Sequence, residues 1–257
     1  ILDFTSLNDR YTSGIQENAH IRVLTAISYW LNTTDAERTL ILTGQPGIGK
    51  TTITSLIAQY FRGDRQPPND LYALAPTSTS AVYFCQPSRP ETLDPRSFAL
   101  TIASQWANRD SHFAHLQSTI DNHEQHELDD LVEQLLIRPF TNIDELIYPG
   151  SIVFLVDDLE AALQHPGETN IVDVILRMLR EVYGVRFLLT AQMQTAVRSK
   201  LADIEAHIYQ LPPHFTLIFN FAPAINAMPE ALPGFSELLP EIDQWLANPE
   251  APQHGGI

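Results

Sequence analysis

The residues from Gly44 to Thr52 have the types and the spacing needed to bind a chain of phosphates. The first eight of them match the pattern G-x-x-x-x-G-K-[ST] without a gap. Glycines allow a tight turn in which successive backbone N–H groups point at one anion, and the N-terminus of a following helix adds partial positive charge. The predicted phosphate-binding residues are Gly44, Gln45, Pro46, Gly47, Ile48, Gly49, Lys50, Thr51 and Thr52.

A second group of candidate residues is acidic and follows an apolar run. Residues 152–156 read Ile-Val-Phe-Leu-Val, typical of a parallel strand buried on both faces, and Asp157-Asp158-Leu159-Glu160 come directly after them. If Lys50 reaches the β- and γ-phosphates and the Thr51 hydroxyl completes the coordination of Mg²⁺, Asp157 is placed to hold that ion directly or through water. Asp158 or Glu160 would then orient and activate the attacking water.

These groups must be positioned by an alternation of strands and helices. Strand patterns lie at 40–42, 81–85, 152–156, 185–190 and 207–211, and helical spacing at 15–31, 50–61, 97–108, 171–183 and 194–201. Such alternation predicts an α/β fold with a mostly parallel central sheet and right-handed crossovers. The predicted extra strand at 81–85 comes between the phosphate loop and the acidic strand along the chain. This order suggests the branch of phosphate-loop proteins in which a strand is inserted between the two, the branch that uses a carboxylate-activated water.

The composition excludes several classes of protein. The formal net charge is -16, from 15 Lys+Arg and 31 Asp+Glu. This charge argues against a general nucleic-acid binder and against docking on an anionic membrane, because both need a basic surface. No apolar run reaches the roughly 18 residues of a membrane helix. The single cysteine, Cys85, excludes an intrachain disulfide, and with no visible signal peptide this favours a cytoplasmic location. The start at Ile1 indicates a piece of a longer protein.

Several blocks of sequence resemble the nucleotide-binding core of STAND-class P-loop NTPases, nearest to the NACHT branch. The blocks are the phosphate loop 42–52, the segments 83–85 and 89–98, the segment 135–140 and the acidic motif 156–160. The segment Arg-Pro-Glu-Thr-Leu-Asp-Pro at 89–95 is the most discriminating of these. The resemblance covers about residues 4–211 and implies a P-loop NTPase three-layer sandwich. A domain at 1–211 would be followed by a C-terminal extension and linker at 212–257, with a strand at 214–221 and a helix at 235–247.

The resemblance also implies a function. Members of this class hold ADP at rest, exchange it for ATP on a signal, and self-associate through the NTPase domain to activate an effector in the same full-length chain. Glu160 matches the catalytic acid of the class and Asp157 its magnesium aspartate. Gln192 lies where members carry an arginine that senses the γ-phosphate, which implies slow or impaired hydrolysis. The absence of an N-K-x-D pattern favours ATP over GTP.

Two other classes of function stay open. The first is a nucleotide-independent interaction module that keeps the fold, favoured by the change at Gln192. The second is a motor-type ATPase or a small-molecule kinase, for which no arginine finger or acceptor site is recognisable. Elsewhere, the acids between Asp121 and Glu133 are interpreted as the solvated face of one helix whose apolar side holds leucines. Cys85 and the tryptophans are interpreted as packing residues; the tryptophans are Trp30, Trp106 and Trp245.

Overall fold

The computed structural model describes residues 1–12, 21–33, 36–68, 71, 74, 76, 80–141, 152–192, 194–202 and 206–210. Within them, strands and helices alternate around one parallel sheet. The strands are β1 Thr39–Thr43, β2 Ser80–Phe84, β3 Ile152–Asp157, β4 Val185–Ala191 and β5 Ala206–Gln210. All five predicted strands are therefore confirmed. The predicted elements at 214–221 and 235–247, and with them Trp245, lie outside the described residues.

The sheet has the strand order β2-β3-β4-β1-β5, and every neighbouring pair is parallel. The strand between β1 and β3 is thus β4, so the sheet has the inserted strand that the predicted branch requires. Residues 81–85 are not that strand, because β2 lies beyond β3 at the edge of the sheet. Order along the chain differs from order in the sheet, since the crossover after β1 passes over β4 and β3 before it reaches β2.

The helices match the predicted ones in position and differ mainly at their ends. The α-helices are α1 Thr5–Thr12, α2 Ile21–Asn32, α3 Lys50–Arg62, α4 Pro95–Arg109, α5 Gln117–Asp121, α6 Leu128–Val132, α7 Arg138–Thr141, α8 Leu159–Ala162, α9 Ile171–Glu181 and α10 Thr195–Leu201. Helix α4 begins at Pro95, two residues before the prediction, because the Asp94 side chain accepts hydrogen bonds from the backbone N–H groups of Arg96 and Ser97. Helix α1 was not predicted.

The acidic run is divided between separate elements, so the prediction of one helix was wrong. Helix α5 ends at Asp121, a 3₁₀ turn covers His123–Gln125, and α6 begins at Leu128. A contact distant in sequence holds the break, because the Arg96 guanidinium donates a hydrogen bond to the His123 carbonyl oxygen at 3.0 Å. Solvation of the acids is confirmed for all but one, since Glu133 is half-buried while the other five acids are exposed. Of the leucines, Leu131 and Leu135 are buried and Leu128 is half-buried.

Helices cover both faces of the sheet, which makes the three-layer α/β sandwich expected of a P-loop NTPase fold. The connection from β1 through α3 runs across the sheet in the opposite direction to the connections through α4 and α9. Right-handed crossovers therefore put α3 on one face, where it packs with α1, and put α4 and α9 on the other, where they contact each other. None of the helices in the described residues has both the length and the apolar character needed to span a lipid bilayer.

Large aromatic side chains fill the core beside the sheet. Trp30 and Trp106 are fully buried, and the Trp106 ring meets the ring of Phe154 on β3 edge-on, with centroids 4.9 Å apart. Cys85 is also buried, and burial raises the pKa of its thiol well above the ordinary value. The prediction of these residues as packing residues is confirmed, and a buried neutral thiol has no nucleophilic character.

Candidate functional site

The phosphate loop lies between the end of β1 and the start of α3, the strand–loop–helix context that the sequence pattern requires. Gly47 and Gly49 have φ angles of 79° and 98°, a left-handed conformation that favours glycine. Gly49 is also the N-cap of α3, so the loop ends where the helix presents its unpaired N–H groups. Gln45, Pro46 and Gly47 are exposed, whereas Ile48 is half-buried and packs against the core.

Lys50 is the first residue of α3, and its side chain folds back over the loop. Its Nζ atom donates hydrogen bonds to the carbonyl oxygens of Gly44 at 2.8 Å and Gln45 at 3.2 Å. The ammonium group therefore lies on the loop itself, close to where the backbone turns. Thr51 and Thr52 follow it in the first turn of α3, and both are half-buried.

A hydrogen bond joins the phosphate loop to the acidic strand. The Thr51 hydroxyl donates to Oδ2 of Asp157, the last residue of β3, at 2.7 Å. Strands β1 and β3 are not neighbours in the sheet, so this contact spans the carboxyl edge across β4. A hydroxyl oxygen and a carboxylate side by side are oxygen donors of the kind that Mg²⁺ prefers. The predicted metal pair, Thr51 and Asp157, is thus brought together.

Asp157 is held on its other oxygen by a residue of β4. The Thr190 hydroxyl donates to Oδ1 of Asp157 at 2.6 Å, and both residues are buried. Burial raises the pKa of Asp157, while the hydrogen bonds from Thr190 and Thr51 act in the opposite direction. No role for Thr190 could be predicted from local sequence, because its partner Asp157 lies on β3, and the pairing of β3 with β4 is set by the fold.

The two further acids lie at the turn that begins α8. Asp158 is the N-cap of this helix and, at φ 61°, the one non-glycine residue with positive φ among those described. Glu160 is half-buried in the first turn, and its Oε2 atom is buried with no hydrogen-bond partner in the described part of the chain. Burial, followed by the charge of Glu160, raises the pKa of Asp158 to about 7. The two carboxyls therefore interact as a pair.

Gln192 directly follows β4 and is half-buried. It leaves the sheet at the same carboxyl edge as the phosphate loop, on the neighbouring strand. The helices after β1 and β4 go to opposite faces, which makes these two strand ends a topological switch point. Ligands of open α/β sheets bind at such a point. Gln192 and the phosphate loop thus follow neighbouring strand ends at the switch point.

The discriminating segment 89–95 forms the connection from β2 to α4. Thr92 accepts a hydrogen bond from the backbone N–H of Gln86 at 2.8 Å and donates one to the carbonyl oxygen of Arg89 at 2.7 Å. Asp94 and Pro95 then provide the cap and the first residue of α4. The same connection touches the site, because the N–H of Cys85 donates to the backbone oxygen of Asp157 at 3.0 Å. These residues shape the edge of the site without providing its chemical groups.

A family model matches most of the chain and shows the family to which it belongs. The model described as nephrocystin 3, N-terminal, matches residues 23–192, which is more than half of the chain. The chain belongs to the nephrocystin 3 N-terminal family. The match begins in α2 and ends at Gln192, so it contains the phosphate loop, the acidic motif and Thr190. No curated protein matches the chain.

Two solved structures are similar to the chain at low sequence identity. The chain is similar to one in a structure of Drosophila ORC bound to GC-rich DNA and Cdc6, with 14% identity, a TM-score of 0.43, and coverage of 80% of this chain and 30% of that one. It is also similar to C. elegans PCH-2, with 16% identity, a TM-score of 0.35, and coverage of 80% and 46%. The chain therefore spans less than half the length of either.

Proposed function

We propose that this chain is an ATP-binding, Mg²⁺-dependent nucleotide switch domain of the STAND/NACHT type. The observation that carries the proposal is the 2.7 Å hydrogen bond between Thr51 and Asp157, which joins a complete phosphate loop to a buried acidic strand. A glycine-rich turn with a purely structural role would not require a lysine and a threonine at its end, nor a hydrogen bond from that threonine to a buried carboxylate. The proposed ligands are ATP and ADP.

Each group has a proposed role in this site. Backbone N–H groups of residues 44–52, other than Pro46, which has none, bind the phosphates, and Lys50 moves from the loop carbonyls to the β- and γ-phosphates. Thr51 and Asp157 would hold Mg²⁺, which would offset the negative charge of the phosphates. Glu160, or Asp158 beside it, accepts the proton of the attacking water. The Oε2 atom of Glu160 supports this assignment, because it has no hydrogen-bond partner among the described residues and its lone pairs are able to accept that proton.

Gln192 is proposed to make hydrolysis slow, because a neutral amide adds no positive charge beside the γ-phosphate. Replacing Gln192 by Arg should therefore raise kcat for ATP roughly 10- to 100-fold, the effect of one charge-assisted hydrogen bond made in the transition state. Phosphate release under saturating Mg-ATP measures this. The matched control is Gln194→Arg, which adds the same charge at an exposed position two residues away. Equal rates for both variants and the unaltered chain would contradict the proposed role.

Thermal melts with and without Mg-ATP test nucleotide binding itself. A ligand that binds only the folded state at 100 times its Kd adds about 2.7 kcal/mol to the free energy of unfolding. For a chain of this size, that raises Tm by about 5–10 °C. The alternative hypothesis, a nucleotide-independent interaction module that kept the fold, predicts no change in Tm at millimolar ATP.

The wider context of the domain is also a proposal. Residues 1–211 would form the switch domain, and 212–257 a C-terminal extension toward further regions of a longer chain. Sensor and effector domains would lie in that longer chain, and ATP binding would promote self-association through the switch domain. The net charge of -16 supports a partner other than nucleic acid or an anionic membrane surface. A cytoplasmic location fits a chain with a single, buried cysteine.

A further inference from the structure

We propose that Thr190 is a positioning residue that orients the magnesium aspartate Asp157 and holds the turn that carries Glu160. The inference rests on the proposed function, because it concerns the same Mg²⁺ and the same acids. It adds a residue on β4 whose hydroxyl acts on two neighbouring residues at once.

The first contact fixes the carboxylate of Asp157. Thr190 donates to Oδ1 at 2.6 Å, and Thr51 donates to Oδ2 at 2.7 Å. Asp157 is buried, so hydroxyls on two different elements determine the plane of its carboxyl group. When Thr51 turns its oxygen toward a metal ion, Thr190 is the donor that remains. Groups that hold a metal ligand in this way set its orientation.

The second contact fixes the backbone after Asp157. The Asp158 N–H donates to the Thr190 hydroxyl oxygen at 3.0 Å, while Asp158 has the left-handed angles φ 61° and ψ 58°. A residue other than glycine keeps such a conformation only where its surroundings hold it. Helix α8 begins at the next residue, so this turn determines where Glu160 lies.

The residue type at 190 fits both contacts. A threonine hydroxyl has one hydrogen to donate and lone pairs to accept, and here it donates to Asp157 and accepts from Asp158. A buried hydroxyl is costly unless it is bonded, and an apolar side chain would fill this buried position of β4 equally well. Thr190 pairs with Leu42 on β1 and lies one residue beyond the β3–β4 pair of Val156 with Leu189. Its hydroxyl thus reaches the end of β3.

Two matched pairs of variants isolate the hydroxyl. Thr190→Val keeps the shape of threonine without the hydroxyl, and Thr190→Ser differs from Thr190→Ala by one hydroxyl. Affinity for ATP is measured with Mg²⁺ and with a chelator, together with kcat and KM. We expect the Val and Ala variants to bind Mg-ATP about tenfold more weakly and to lose kcat, with little change in metal-free affinity. The Ser variant should stay close to the unaltered chain.

The outcomes distinguish failure of the proposed function from failure of the role proposed for Thr190. If the unaltered chain binds no nucleotide, the proposed function fails and this inference fails with it. If it binds Mg-ATP but the Val variant keeps the same preference for Mg²⁺, only the inference is overturned. A purely structural role would lower Tm in the absence of ligand and leave the Mg²⁺ preference intact. Where the Val variant does not fold, the Ser and Ala pair decides, and equal behaviour of those two overturns the inference.

Discussion

Replacing Lys50 by Ala should raise the Kd for Mg-ATP about 100-fold or more. Lys50 provides the one side-chain charge in the loop, and hydrogen bonds to charged groups are worth about 1.5–3 kcal/mol each, more than one of which is lost. The fold should survive, because the hydrogen bonds of the Nζ atom within the described residues go to the loop carbonyls of Gly44 and Gln45, and alanine favours a helix. Calorimetric titration gives the affinity, and circular dichroism verifies the fold.

The chain contains a matched control for this variant. Lys200 is the other of its two lysines, and it pairs with Asp173 on α9 at a distance of 2.5 Å, away from the phosphate loop. Lys200→Ala removes the same charge and should leave the Kd for Mg-ATP unchanged. Equal affinity of the Lys50 variant and the unaltered chain would contradict the proposed phosphate site. Equal loss in both variants would point to a general charge effect.

Replacing Glu160 by Gln should lower kcat by about 10²- to 10⁴-fold while Mg-ATP still binds, because a positioned general base contributes a factor of that size. Glutamine keeps the shape of the side chain and removes its capacity to accept a proton. Since the unaltered rate is expected to be slow, single-turnover measurements with excess protein are the suitable assay. Separate titrations should show a nearly unchanged Kd.

Two further substitutions complete this experiment. Glu168→Gln removes a carboxylate from an exposed loop and should leave kcat unchanged. Asp158→Asn tests the alternative base, which lies beside Glu160 at the same turn. If the Glu160 variant keeps the kcat of the unaltered chain and the Asp158 variant loses most of it, Asp158 is the general base. Full rates in both would contradict a carboxylate base at this turn.

The chemical groups of the site could be predicted because each leaves a local pattern in the sequence. The loop 44–51 needs glycines at fixed positions, and Gly47 and Gly49 indeed have positive φ angles. Asp157 follows a continuous apolar run, which marks a strand buried on both faces. These signals depend on neighbours in sequence, so the sequence alone was sufficient for them.

The parts that could not be predicted depend on contacts distant in sequence. Thr190 contacts Asp157 only because β4 lies beside β3, and the order of the strands along the chain does not show which strand is inserted between β1 and β3. The leucines of the acidic run have a spacing that a single helix would satisfy, and yet α5 ends at Asp121. The contact from Arg96 to His123 fixes the chain there instead. Neither contact has a signature within its own segment.

The most direct test of the central claim is a calorimetric titration of the unaltered chain with ATP, in Mg²⁺ and then in a chelator. We expect one saturable site with a Kd of about 1–100 μM in Mg²⁺, corresponding to a binding free energy of roughly 5.5–8 kcal/mol in magnitude, and clearly weaker binding without the metal. If protein that is folded by circular dichroism gives no saturable heat with Mg-ATP, the chain is not the proposed ATP-binding domain.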